Sequence, residues 1–267
     1  MTAQQRSRIV VTILFVTCLG FVGMELDRRE LLPWRNYSHA TGRQSEQPPG
    51  KLVEPSQVPE DVAARIKDFT ARISEAATAM NPNERKALLA TQRVFAPLVP
   101  KMAAYEGAVK MLNDAGITSP ATLVSQETLR ERITMIKRLK QANHALLEFY
   151  RNIEKNYQQE LGKEKLPLEV KKDAMGGFRR GASIEANLAV RECDEQIQTT
   201  RLQILEFLDR EWGAWKVQPA GELAFEHDSA LSEYMALQET LRLTSQRQQA
   251  AQKELITRSE PRPVASK

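Results

Sequence analysis

The chain has 267 residues, 42% of them apolar and 27% charged, with a formal net charge of +4. That surplus divides into +2 for residues 1–58, +3 for 59–162, zero for 163–217 and −1 for the remainder, so no segment has the concentrated positive charge of a nucleic-acid surface. The two cysteines are Cys18 and Cys193, which leaves no internal disulfide for a body that begins after the linker and excludes a small disulfide-stapled scaffold.

No residue from Ile9 to Met24 is charged, and Ile9, Val10, Val11, Ile13, Leu14, Phe15, Val16, Leu19, Phe21 and Val22 make the run strongly apolar. Arg6 and Arg8 precede it; Glu25, Asp27, Arg28 and Arg29 follow. As a helix these residues rise about 24 Å, short of a hydrocarbon core of roughly 30 Å, a deficit that snorkelling of Arg8 offsets in part. A cleaved secretory signal would need a small-residue site after the run, yet the nearest approximation, Cys18-Leu19-Gly20, lies inside it. A lipoprotein would need a small residue before Cys18, where Thr17 stands. The reading is an uncleaved single-pass anchor over residues 1–32, with a cleaved signal as the alternative. Lys and Arg are nearly balanced across the run. Only the acid-free amino flank points to an amino terminus inside and a body on the periplasmic or extracytoplasmic side.

Residues 33–58 collect Pro, Gly, Ser and Gln and read as a flexible linker. An all-helical body is expected over 59–258, followed by a disordered tail at 259–267. Gly and Pro are costly inside helices, and none falls in 60–81, 125–161, 182–212 or 222–260. In the first of these stretches Val62, Ile66, Phe69, Ile73, Ala76 and Met80 step by four and three, one apolar stripe on a helix. Asn81-Pro82-Asn83-Glu84 then caps and starts another helix, striped by Leu88, Phe95, Leu98, Met102, Tyr105, Val109 and Leu112, with a break expected at Pro97 and Pro100. The stretch from Ser125 carries Leu129, Ile133, Ile136, Leu139, Asn143, Leu146, Tyr150, Ile153, Tyr157 and Leu161. A further stripe runs Ala186, Val190, Cys193, Ile197, Thr200, Ile204 and Phe207, with Trp212 and Trp215 packing at its helical end. Stripes this long favour an elongated antiparallel bundle with coiled-coil-like packing. The final segment has Leu231, Tyr234, Leu237, Leu241 and Leu255, but the polar stretch TSQRQQAAQK predicts a frayed far end or one that awaits a partner.

Candidate chemistry is sparse. His144 and Glu148 have metal-compatible spacing, but a zinc site needs three or four converging ligands and the other histidines, His39 and His227, lie in other segments. Asn143 interrupts its apolar stripe, either to set helix register or at the stripe's edge. Lys171, Lys172, Arg179 and Arg180 surround Gly176, Gly177 and Gly181 in KKDAMGGFRRG, which reads first as a flexible joint with solvated charges and second as a contact for an anion or lipid headgroup. It lacks the order of a phosphate-binding loop. Cys193, on an apolar stripe beside Asp194 and Glu195, reads as a buried inert thiol.

No nucleophile with its base and no cofactor motif is recognisable, so no enzyme activity, metal or cofactor is expected. The expected function is a membrane-tethered structural or protein-interaction module of a bacterial-type cell envelope. A sensor of a small anion or lipid headgroup is the first alternative and an enzyme without recognisable motif the second. The expected partners are the lipid bilayer and a helical protein or a second copy, with no nucleic acid. Self-association would bury Leu241, Leu243 and Leu255.

Overall fold

A computed structural model of the chain describes residues 80–115, 122–218 and 222–259. The apolar run 9–24, the linker, the stripe over 62–79 and the tail after 259 lie outside them. Helices dominate: α1 (Pro82–Phe95), α2 (Leu98–Asp114), α3 (Gln126–Lys163), α4 (Leu168–Gly181), α5 (Ile184–Arg210) and α6 (Asp228–Ser259), with a hairpin of β1 (Trp215–Val217) and β2 (Leu223–Phe225) before the last. None of these helices is long and apolar enough to cross a membrane.

The starts and stops follow from local chemistry. The Asn81 carboxamide oxygen accepts from the backbone N–H groups of Asn83 and Glu84, both at 3.0 Å, while Glu84 reaches back to the Asn81 N–H at 3.2 Å. This reciprocal cap, with Pro82 at the first helical position, satisfies donors that a helix start leaves orphaned. Ala96 and Pro97 break the rod between α1 and α2, and Pro100 is tolerated in the first turn of α2, so the expected break falls at the first proline. Ser125 caps α3 by accepting from the Thr128 N–H at 3.1 Å. Ser183, in the left-handed region at φ 42°, turns the chain from α4 into α5.

The central packing unit is α3. Thr91 on α1 bonds Tyr157 at 3.2 Å, Phe95 meets Phe149 at 6.2 Å, and farther along α2 Tyr105 reaches Asp194 on α5, so α1 and α2 run antiparallel to α3. Lys137 pairs with Glu206 and His144 with Glu195, which makes α5 antiparallel to α3 as well. Arg210 with Glu233, and Asp194 with Gln248, set α6 antiparallel to α5. Leu129, Ile136, Leu146, Leu147, Ile153 and Leu161 of α3 are sealed from solvent along nearly its whole length. At the end where α1 packs, Phe178 of α4 stacks on Tyr157 at 4.3 Å and tilts against Phe95 at 6.1 Å.

Three expectations need correction. The helix does not run through Trp212: it stops at Arg210, Gly213 takes φ +93°, and Trp215 enters a strand paired to Phe225. There the buried Trp215 indole donates to the Leu208 carbonyl at 2.9 Å, with Trp212 edge-on to it at 5.2 Å. KKDAMGGFRRG is not a flexible joint but most of α4, because Phe178 and the buried Gly177 turn one side of it into the aromatic cluster. The far end of α6 is not a frayed stretch of polar residues but helix to Ser259, with Thr244, Gln248 and Leu255 turned inward and buried.

Candidate functional site

The most concentrated chemistry is a polar network inside the bundle, midway along α5. Asn187, Arg191, Asp194 and Gln198 step by four, three and four residues, which places them on one face of α5 beside the apolar stripe. All are buried, with Arg191 4% and Asp194 3% exposed. Arg191 Nη2 contacts Asp194 Oδ2 at 3.1 Å, one turn along the same helix. Tyr105 of α2 donates its hydroxyl to that oxygen at 3.3 Å, and Gln248 of α6 donates its amide to Oδ1. Asn143 of α3, 0% exposed, donates to the Arg191 carbonyl at 2.9 Å and accepts from its guanidinium at 3.5 Å. The guanidinium lies over the Tyr105 ring, 4.7 Å from its centre, where the negative face of the ring favours the cation. Four helices thus meet at one level.

Burial shapes the electrostatics. It pushes the Asp194 carboxyl up from the ordinary range, against the pull of Arg191, Gln248 and Tyr105. Burial also works against the Arg191 charge, but Asp194 and the two tyrosines outweigh it and hold the guanidinium above its ordinary value. The Tyr150 phenol, close enough to feel Arg191, is pushed up to about 12 by burial, and Tyr105 goes up for the same reason with Asp194 adding to it. Arg201 and Arg132 are driven down by burial. Among the described residues, Arg132 Nη1, Tyr150 Oη and Gln198 Oε1 are buried without a hydrogen-bond partner.

Such an arrangement fixes geometry. A pair of opposite charges taken out of water is tolerated only when its remaining lone pairs and protons are met, and here the partners come from three other helices. Sliding α2, α3 or α6 by one turn would strand a charge or an amide in the core. Of the two readings of Asn143, a stripe-edge position does not hold for a residue so deeply buried; it bonds across to α5. The other partners were not singled out from the sequence, although the same four-and-three spacing was there to be read in polar residues.

The remaining candidates are dispersed. Lys172 pairs with Glu169 at 3.2 Å, and Arg179 Nε with Glu154 at 2.7 Å; Lys171 is half-buried on α4, and Arg180 follows Arg179 in the helix. His144 faces Glu195 at 3.3 Å while Glu148 holds Arg151 at 2.9 Å. No group of three metal-ligating side chains assembles among the described residues. Cys193 is half-buried rather than buried, because Asp194 and Val190 take the inward positions around it; burial and the Asp194 charge push its thiol up. An open surface groove of about 580 Å³ is lined by Gln126, Glu127, Arg130, Glu131 and Thr134 at the start of α3. The chain matches no known protein family, no curated protein and no solved structure.

Proposed function

We propose that the chain is a membrane-tethered helical module whose work is structural or protein–protein interaction in a bacterial-type cell envelope. The observation that carries the interaction reading is the division of chemistry within the bundle. The Arg191–Asp194 network is committed to holding helices to one another, while Leu231, Met235 and Leu243 stand out from α6 at 41%, 58% and 42% exposure. Apolar side chains turned outward on one helix suit contact with another protein or a second copy. The tether rests on the uncharged run Ile9–Met24, with the amino terminus inside and the bundle on the extracytoplasmic side.

Carbonate extraction of membranes that hold the full chain tests the tether. Retention in the pellet is expected; recovery in the soluble fraction would remove the anchor, and a mature chain that begins after Gly20 would make it a cleaved signal. The headgroup-binding alternative requires Lys172 and Arg179 to leave Glu169 and Glu154, which weakens it. Charge reversal of Arg179 and Arg180 that abolished vesicle flotation would restore it.

A further inference from the structure

The far half of α6 is joined to the bundle differently from the near half. From Ala230 to Leu241 the helix belongs to the main core, with Tyr234 and Leu237 packed against it. The next inward positions are Thr244 and Gln248, both buried and both polar. Among the described side chains, apolar ones turn inward again at half-buried Ala251 and buried Leu255, in a separate small cluster with Ala186 and Val190. Apolar continuity between α5 and α6 is therefore interrupted over about two turns of helix.

What bridges the interruption can be released without stranding a charge. The Thr244 hydroxyl bonds the Thr240 carbonyl of its own helix at 2.9 Å and goes wherever the helix goes. Gln248 bonds Asp194, yet the carboxylate keeps Arg191 at 3.1 Å and Tyr105 at 3.3 Å, on α5 and α2, when Gln248 leaves. A freed Gln amide exchanges its bond for water at little net cost. The buried ion pair is thus supported independently of the helix that covers it.

We propose that residues 244–259 form a latch that opens from α5 as one unit while α1 to α5 and the near half of α6 stay folded. Such a segment is a cooperative unit of low local stability within a folded domain. Opening uncovers Val190, Cys193 and Asp194 along one helix-wide strip. Cys193 is a built-in reporter: it is half-buried, and Arg247 of the latch lies near enough to influence its thiol.

The test uses the full chain in detergent with C18S, so that Cys193 is the single thiol. Hydrogen exchange read by mass spectrometry should show amides 245–258 exchanging about tenfold or more faster than amides 230–243. Leu255→Ala should speed both that exchange and maleimide labelling of Cys193 by about tenfold, leaving amides of α3 unchanged. Gln248→Ala should act in the same direction, and it serves where Leu255→Ala fails to fold. Equal protection across both halves of α6, or acceleration spread evenly over α3 and α5 in either variant, would mean that the far half opens only with global unfolding and would overturn the latch.

Discussion

The two long seams of α5 use the same antiparallel geometry to different ends. Against α3 the helix meets a mainly apolar face, in which buried Asn143 donates to the Arg191 carbonyl and accepts from its guanidinium. Against α6 it meets apolar residues at one end, Thr244 and Gln248 in the middle and the small cluster of Ala251 and Leu255 beyond. A polar residue set in an apolar face fixes register at small cost when it is fully paired. Polar residues that replace the apolar face loosen the seam instead.

Four measurements test that contrast. The largest effect is expected for Asp194→Ala, which leaves the Arg191 guanidinium buried and uncompensated and should cost about 3–5 kcal/mol in urea unfolding. Replacing the pair together, Arg191→Met with Asp194→Leu, should recover most of that loss. A single-variant cost under about 1 kcal/mol would mean that the network is already wet.

Leu146→Ala empties a fully buried site of α3 in the main core and should cost about 2–5 kcal/mol, shifting the whole transition. An equal cost for Leu255→Ala would erase the distinction between the seams.

Alkaline pH probes the interior next. Burial raises the phenols of Tyr105, Tyr150 and Tyr157 above the ordinary value of 10.0. Groups so shifted contribute stability that is full below pH 10.0 and is lost as pH rises through the folded value, about 12 for Tyr150. Tyrosinate absorbance and loss of helical circular dichroism should therefore appear together. Ionisation of all tyrosines with the helices intact would show that the network is open to solvent.

The smallest effect is expected for Leu243→Ser on the outer face of α6, within about 0.5 kcal/mol of the parent in monomer stability. Sedimentation of the same variant tests association. If the chain self-associates through this face, the variant should weaken it. The wider surface expected from the sequence is reduced, since Leu241 and Leu255 already face inward.

Long periodic stretches made the helices legible: the stripe from Leu129 to Leu161 names the buried face of α3, and the Asn81-Pro82 start and the break at Pro97 were readable from backbone chemistry alone. Periodicity failed where the helical period was carried by polar side chains. Asn187, Arg191, Asp194 and Gln198 have the spacing of a core face, but charges and amides are ordinarily solvated, and the partners of Arg191 and Asp194 on α2, α3 and α6 are distant in sequence. The same blind spot made TSQRQQAAQK look unattached, whereas its Gln248 answers Asp194. The hairpin was hidden for another reason: strands of three residues are too short to show alternation, and Trp212 and Trp215 happen to be spaced as on a helix.

The hairpin also has a position worth following through. It caps the end of the bundle where α3 begins, while α1 packs beside the other end, where Thr91 and Arg93 meet Tyr157 and Glu160. The 38 residues of α3 separate these ends by about 57 Å. A body with the α1 contacts at one end and exposed Trp212 at the other behaves as a spacer bar. Whatever touches the surface beside Arg93 and whatever touches the tryptophan are kept nearly a helix length apart, and lengthening or shortening the rods by whole turns would reset that standoff without altering either end.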